Sequence, residues 1–148
     1  MIEGLKGKRI YLDANVFVYA LEGFPKYSAL TTSILRTMEQ QGFHATTSEI
    51  TVAESLVHPF RLARLDLVAT YRALLQDRPA LELVPVTRDI LEKSAELRAT
   101  IGGRLPDAVH AATALKNGCS CFLTADARFK MPAPINLVTL DALLSSPL

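Results

Sequence analysis

Four carboxylates stand at wide intervals in apolar surroundings: Asp13 after Ile10-Tyr11-Leu12, Glu54 within residues 50–57, Asp107 after Leu105-Pro106, and Asp126 after Phe122-Leu123-Thr124-Ala125. A carboxylate drawn into an apolar setting is costly unless a cation or hydrogen-bond donors meet it. Each acid has a plain structural account. Asp13 and Asp126 are good helix caps. Asp107 in a first helical turn suits the helix dipole. Thr51 and Glu54 have the spacing of a capping box. Those accounts treat the acids one at a time. If they converge, four carboxylates repel and raise one another's pKa. A hard divalent cation, Mg2+ or Mn2+, removes that conflict because it takes oxygen ligands.

The elements that must position these acids follow from punctuation and periodicity. Apolar runs over residues 9–12, 43–46, 81–86, 120–123 and 137–140 read as strands. Amphipathic or capped stretches over 16–21, 27–41, 61–76, 89–100, 107–116 and 141–144 read as helices. A further helix from a Ser48 cap is expected to stop near Val57, because His58-Pro59 does not continue it smoothly. Strands alternating with helices predict a parallel sheet with helices on both faces. In such sheets the active crevice lies beyond the carboxyl ends of the strands, where Asp13 and Asp126 are expected.

At 148 residues and 49% hydrophobic content, the chain is expected to form a single domain over residues 1–148 with a full core. No run approaches the ~18 apolar residues of a membrane helix. Lys6, Lys8 and Arg9 ahead of an apolar stretch resemble a signal peptide, but Asp13 and Asn15 interrupt it and no cleavage site follows. A cytoplasmic location is expected. Cys119 and Cys121 have C-x-C spacing, which on a strand points them to opposite faces, so they are expected to stay unpaired. Net charge is +1, so no broad basic field drives duplex binding. Local candidates for holding phosphates are Arg104, Arg128 and Lys130, with Arg98 and Lys116 as further cations; each is equally well explained as solvated surface.

Among the remaining polar residues, Asn15 is expected to orient Asp13 or a bound water. His58 is expected to complement a helix C-terminus. His110, one turn after Asp107 in an Ala-rich helix, is expected to be a satisfied core residue or a support behind the ligands rather than a metal ligand. Neither a Ser-His-Asp or Cys-His arrangement nor a phosphate-cradling Gly-rich loop can be assembled.

In four segments the chain resembles the PIN-domain family, and within it the VapC-type toxins of toxin–antitoxin pairs. The segments are Tyr11-Leu12-Asp13-Ala14-Asn15, Thr51-Val52-Ala53-Glu54, Leu105-Pro106-Asp107-Ala108-Val109-His110-Ala111-Ala112-Thr113-Ala114-Leu115 and Leu123-Thr124-Ala125-Asp126. They occur in the family's order across most of the chain. Ala14 departs from the Thr or Ser that the family often carries there. The resemblance implies a three-layer α/β/α fold around a parallel sheet of about five strands. It implies an acidic metal site on Asp13, Glu54, Asp107 and Asp126, with Thr124 in support. It implies Mg2+- or Mn2+-dependent cleavage of single-stranded or looped RNA, a homodimer and a cognate antitoxin. Rivals at this level are an RNA-processing nuclease of the same family, an inactive binding module of the same fold, and a phosphotransfer enzyme. The last wants a second Asp two residues after the first, where this chain has Asn15.

Overall fold

The structure, a computed structural model, describes residues 2–146. Strands β1 (Arg9–Leu12), β2 (His44–Ser48), β3 (Leu81–Val84), β4 (Cys121–Thr124) and β5 (Asn136–Thr139) form one sheet in the order β3-β2-β1-β4-β5. Every pairing is parallel. The helices are α1 (Ala14–Leu21), α2 (Ser28–Glu39), α3 (Ile50–Arg61), α4 (Leu65–Leu74), α5 (Arg88–Ile101), α6 (Leu105–Lys116) and α7 (Leu140–Ser145).

Alternation along the central strands builds two cores. Ile10 and Leu12 of β1, with Cys121 and Leu123 of β4, face Val16, Phe17, Ile34, Met38 and Tyr71 from α1, α2 and α4. Tyr11 and Phe122 point the other way, into Ile90, Leu97, Val109 and Ala112 from α5 and α6. Strands buried on both faces are what a parallel sheet covered by crossover helices requires. The order runs outward in both directions from β1, so the chain reverses between β1 and β4. A crevice opens beyond the carboxyl ends at such a point. Ala108, Ala111, Ala112 and Ala114 are all buried, and these small side chains let α6 lie close against the sheet.

Several element ends differ from the sequence reading. Strand β2 runs on to Ser48 because Thr46, Thr47 and Ser48 are fully buried polar residues in the ladder. Thr47 satisfies itself by donating to the Leu12 carbonyl at 2.8 Å. Helix α3 does not stop at Val57 but passes through Pro59 to Arg61. A proline removes one helical hydrogen bond. Here the chain closes around it, with Leu62 N–H donating to His58 O at 3.1 Å and Arg64 N–H to Pro59 O at 2.9 Å. Ala63 then takes a left-handed φ of 52°, which separates α3 from α4 and leaves α4 starting at Leu65 rather than Arg61. Both cysteines are free and buried. Burial pushes the Cys119 thiol up to about 11, which keeps it neutral. Among the described residues no helix is long and apolar enough to cross a membrane.

Candidate active site

Asp13 leaves β1 and caps α1: its φ and ψ are extended, and its Oδ1 accepts the Ala14 N–H at 2.8 Å. The other oxygen, Oδ2, accepts from Thr124 Oγ1 at 2.7 Å and from Asn15 Nδ2 at 3.3 Å. Asn15 also links to β4 on both sides of its amide. Its Nδ2 meets Thr124 Oγ1 at 3.3 Å, and its Oδ1 accepts the Ala125 N–H at 3.1 Å. Thr124 Oγ1 in turn accepts the Asp126 N–H at 3.1 Å. The ends of β1 and β4 are therefore stitched into one unit by Asn15 and Thr124. Asp126 accepts the Arg128 N–H at 2.9 Å, which fixes the turn after β4.

A cleft of about 270 Å³ opens over this unit, lined by Asp13, Asn15, Glu54, Asp107 and Asp126 together with Ala14, Val18, Arg104 and Phe129. All four carboxylates thus border one cavity. They do not close into a ready coordination shell: among the described residues no group of three or more His, Cys, Asp or Glu is drawn together tightly enough to hold an ion. Two side chains are held by other partners. Glu54 is engaged by His110 Nε2, and Asp107 lies 3.6 Å from Arg104.

Asp13 is 8% exposed. Burial raises its pKa above the usual carboxylate value, more than the neighbouring His110 and the hydrogen bonds from Thr124 and Ala14 lower it. Among the described residues the one basic side chain within ion-pair reach of it is His110, 3.7 Å from Oδ1. An all-oxygen donor set around a buried, under-compensated carboxylate fits a hard divalent ion. Asp107 and Asp126 border the same cleft.

His110 is the satisfied interior residue expected from the sequence, and it reaches the cleft as well. It is 1% exposed and bridges two elements. Its Nδ1 lies 2.5 Å from the Tyr11 hydroxyl and its Nε2 contacts Glu54. Burial pulls the ring down, but the Glu54 hydrogen bond and the charges of Asp13, Glu54 and Asp107 outweigh it and leave the pKa above its ordinary value. The signal for this residue is a histidine in an alanine-rich helix, one turn after an acid.

A second polar cluster, which the sequence does not announce, lies behind Glu54. Glu22 accepts from Tyr71 at 2.5 Å and pairs with His58 at 2.8 Å. His58 is thus held by a carboxylate as well as placed near the end of α3. Burial and the Glu22 charge raise the Tyr71 phenol well above its ordinary value.

Basic residues gather on one side of the acids. A pocket of about 140 Å³ shares Arg104, Asp107, Asp126 and Phe129 with the cleft and adds Gly102, Gly103, Arg128 and Lys130. Lys130 reaches back to the Ile101 carbonyl at 3.0 Å, and Arg98 to that of Gly103 at 3.2 Å. Lys116 lies away from the acids, in a separate hollow with Lys93 and Glu96.

Solved structures share this architecture. A toxin–antitoxin complex from Klebsiella pneumoniae aligns with a TM-score of 0.65 at 22% identity, over 88% of this chain and 97% of that one. DNA-bound VapBC from Salmonella typhimurium aligns with a TM-score of 0.68 at 17% identity, over 90% and 98%. VapC20 of Mycobacterium tuberculosis, a Sarcin-Ricin loop cleaving toxin, aligns with a TM-score of 0.67 at 16% identity, over 81% and 92%. At these identities the likeness speaks for the fold. No curated protein matches the sequence. The sequence itself matches the PIN domain over residues 10–133, a span that contains every acid of the cleft, and the chain belongs to the PIN-domain family.

Proposed function

We propose that the chain is a single-domain, divalent-metal-dependent endoribonuclease that acts as the toxin of a toxin–antitoxin pair. The observation that carries this reading is the cleft at the β1–β4 reversal, bordered by Asp13, Glu54, Asp107 and Asp126 and flanked on one side by cations. Asp13, Asp107 and Asp126 would hold Mg2+ or Mn2+, with Glu54 beside them. The bound ion would supply an acidified water as nucleophile and positive charge for the transition state. Asn15 and Thr124 favour the ionised form of Asp13 and aim it by donating to it. Glu54 would hold the ion's water or take its proton. Arg104, Arg128 and Lys130 steer the phosphates of one open strand across the acids. Val18 and Phe129 line the cleft beside the acids.

The toxin role draws on the kinship with VapC proteins and on the complexes in which two of the structural neighbours were solved. A small antitoxin covering the cleft would silence the enzyme, and an arginine on it would suit the carboxylates. A homodimer is part of the same proposal, supported by the exposed apolar side chains Val57, Phe60, Leu62 and Leu65 at the α3–α4 corner.

The deciding experiment assays purified protein on a single-stranded RNA with Mg2+ or Mn2+, then with excess chelator, beside the Asp126→Asn variant. Cleavage that needs the ion and Asp126 supports the reading; cleavage undiminished by chelator overturns it. Induction of the wild-type chain is expected to arrest bacterial growth, and Asp107→Asn to relieve the arrest. A harmless wild-type chain would leave a nuclease outside any toxin system.

A further inference from the structure

We propose that His110 is a positioning residue for Glu54, and that Tyr11 dictates which ring nitrogen faces that carboxylate. The inference rests on the nuclease reading above only for its kinetic consequence; the arrangement itself is a matter of hydrogen-bond polarity.

Tyr11 lies at the centre of the sheet, fully buried, with its ring stacked on Phe122 at 4.9 Å and 11°. That packing fixes where its hydroxyl points. The Ser48 N–H, at the end of β2, donates to the Tyr11 oxygen at 3.1 Å. With the oxygen occupied as acceptor, the hydroxyl hydrogen needs an acceptor of its own, and His110 Nδ1 stands 2.5 Å away. A buried hydroxyl left without a partner is costly. Nδ1 therefore accepts, which puts the hydrogen of a neutral ring on Nε2. Nε2 faces Glu54 Oε1. The opposite tautomer would orphan the Tyr11 hydrogen and set a lone pair against a carboxylate.

The result is a directed chain running from Ser48 N–H through Tyr11 O–H and His110 Nε2–H to Glu54. Its first links are in the rigid interior and its last is at the cleft, where the Glu54 side chain is 34% exposed. A glutamate that exposed has several rotamers open to it in solvent. A donor fixed from the core selects the one that borders the cleft beside Asp13. The chain also ties three elements together: β1 through Tyr11, α6 through His110 and α3 through Glu54.

Three variants test this in the full-length protein: His110→Gln, His110→Leu and Tyr11→Phe. Gln can present an amide N–H where Nε2 stood, whereas Leu keeps bulk and loses the donor. The first readout is nuclear magnetic resonance of histidine labelled with nitrogen-15, in metal-free wild type and Tyr11→Phe. At a pH high enough to leave the ring neutral, the expected wild-type ring carries hydrogen on Nε2 and has Nδ1 bare, and Tyr11→Phe mixes the tautomers. A wild-type ring with Nδ1 protonated and Nε2 bare overturns the proposal. The second readout is Mn2+ affinity, measured by titration without substrate. Leu is expected to weaken it by about 10–100-fold, the usual cost of losing such a partner, and Gln to stay near wild type.

The third readout is kinetic. Leu should lower kcat by about 10–100-fold with KM little changed, and Gln should restore most of it. Gln no better than Leu in both affinity and kcat, or Leu equal to wild type in both, overturns the proposal. Tyr11→Phe combined with His110→Leu should cost little more than His110→Leu alone; simple addition of the two effects removes Tyr11 from the chain. If Leu does not fold, Gln and Tyr11→Phe still decide through the tautomer and the affinity. A wild type that cuts no RNA sinks the nuclease reading, while the tautomer and Mn2+ measurements continue to judge this one.

Discussion

The Thr124 hydroxyl donates to Asp13 Oδ2 across 2.7 Å, joining the carboxyl ends of two neighbouring strands through residues 111 positions apart. The same oxygen accepts the Asp126 N–H at 3.1 Å, so one hydroxyl orients two of the four acids. Thr124→Val keeps the shape and removes both bonds. Thr124 is fully buried, so the loss leaves a buried carboxylate oxygen and a backbone N–H short of a partner. We predict a destabilisation of about 1–3 kcal/mol by denaturant unfolding. Thr124→Ser should recover most of it. If Val were as stable as wild type, the hydroxyl would not be what joins the strand ends.

Asp13 predicts an unusual pH dependence for the metal-free protein. Its folded pKa lies above the ordinary 3.8 because burial disfavours the charged form. A group raised in the folded state binds its proton more tightly there than when unfolded. Its contribution is therefore complete below 3.8 and is lost as pH rises through the folded value. Asp13→Asn in chelator should melt higher than wild type at neutral pH and show a flatter profile above pH 4. Each kcal/mol relieved is worth about 2–4 °C. Added Mn2+ should raise the wild-type melting temperature and leave the variant unmoved. A variant that melts lower in chelator at neutral pH would show that Asp13 is already well compensated by its hydrogen bonds.

Removal of the ion should stop cleavage outright, and return of Mg2+ or Mn2+ should restore it. Asp107→Asn and Asp126→Asn are each expected to lower kcat by at least about 100-fold, in line with the loss of charge stabilisation at a reacting phosphate. Circular dichroism should show both variants folded, since the two side chains stand on the cleft rim. Retained activity in either would move the ion away from that acid.

The basic side of the cleft predicts a salt signature. With a net charge of +1 the chain has no broad surface for a duplex, so matched linear, hairpin and duplex RNAs should be cut in the order linear or looped before duplex. Each of Arg104→Ala, Arg128→Ala and Lys130→Ala should reduce the slope of log affinity against log salt by ~0.7 for every single-strand phosphate that the side chain neutralises. Slopes unchanged in all three would place the RNA path elsewhere. Equal cutting of duplex and linear RNA would do so too.

Much of this arrangement is legible because an apolar run that ends in an acid is a strong local pattern. Asp13 and Asp126 announce both a strand and its carboxyl end, and the alternation of strands with helices then gives the parallel sheet. Polar residues used as core are harder to read. Thr47 and Ser48 look like the edge of a turn, yet they are ladder positions because the Thr47 hydroxyl meets Leu12 O and Thr51 Oγ1 and Ser48 Oγ accepts the Ile50 N–H. Pro59 looks like a stop. It sits where the helix has only one turn left, so one lost bond is outweighed by those that close after it. Tyr11, His110 and Glu54 meet from 99 and 56 positions away, and no local pattern records such a meeting. The pairing of Glu22 with Tyr71 and His58 is hidden for the same reason.

The placement of β1 in the middle of the sheet has a consequence for biosynthesis. Of these five strands β1 leaves the ribosome before the others and acquires one flank from β2 early, but its other flank waits for β4, the fourth in chain order. Until then Asp13 has neither Thr124 nor Asp126 beside it, and the crevice between the two strand ends has only one bank. Domains assemble as units once their parts are out. A partly translated chain therefore carries its first acid without the means to use it.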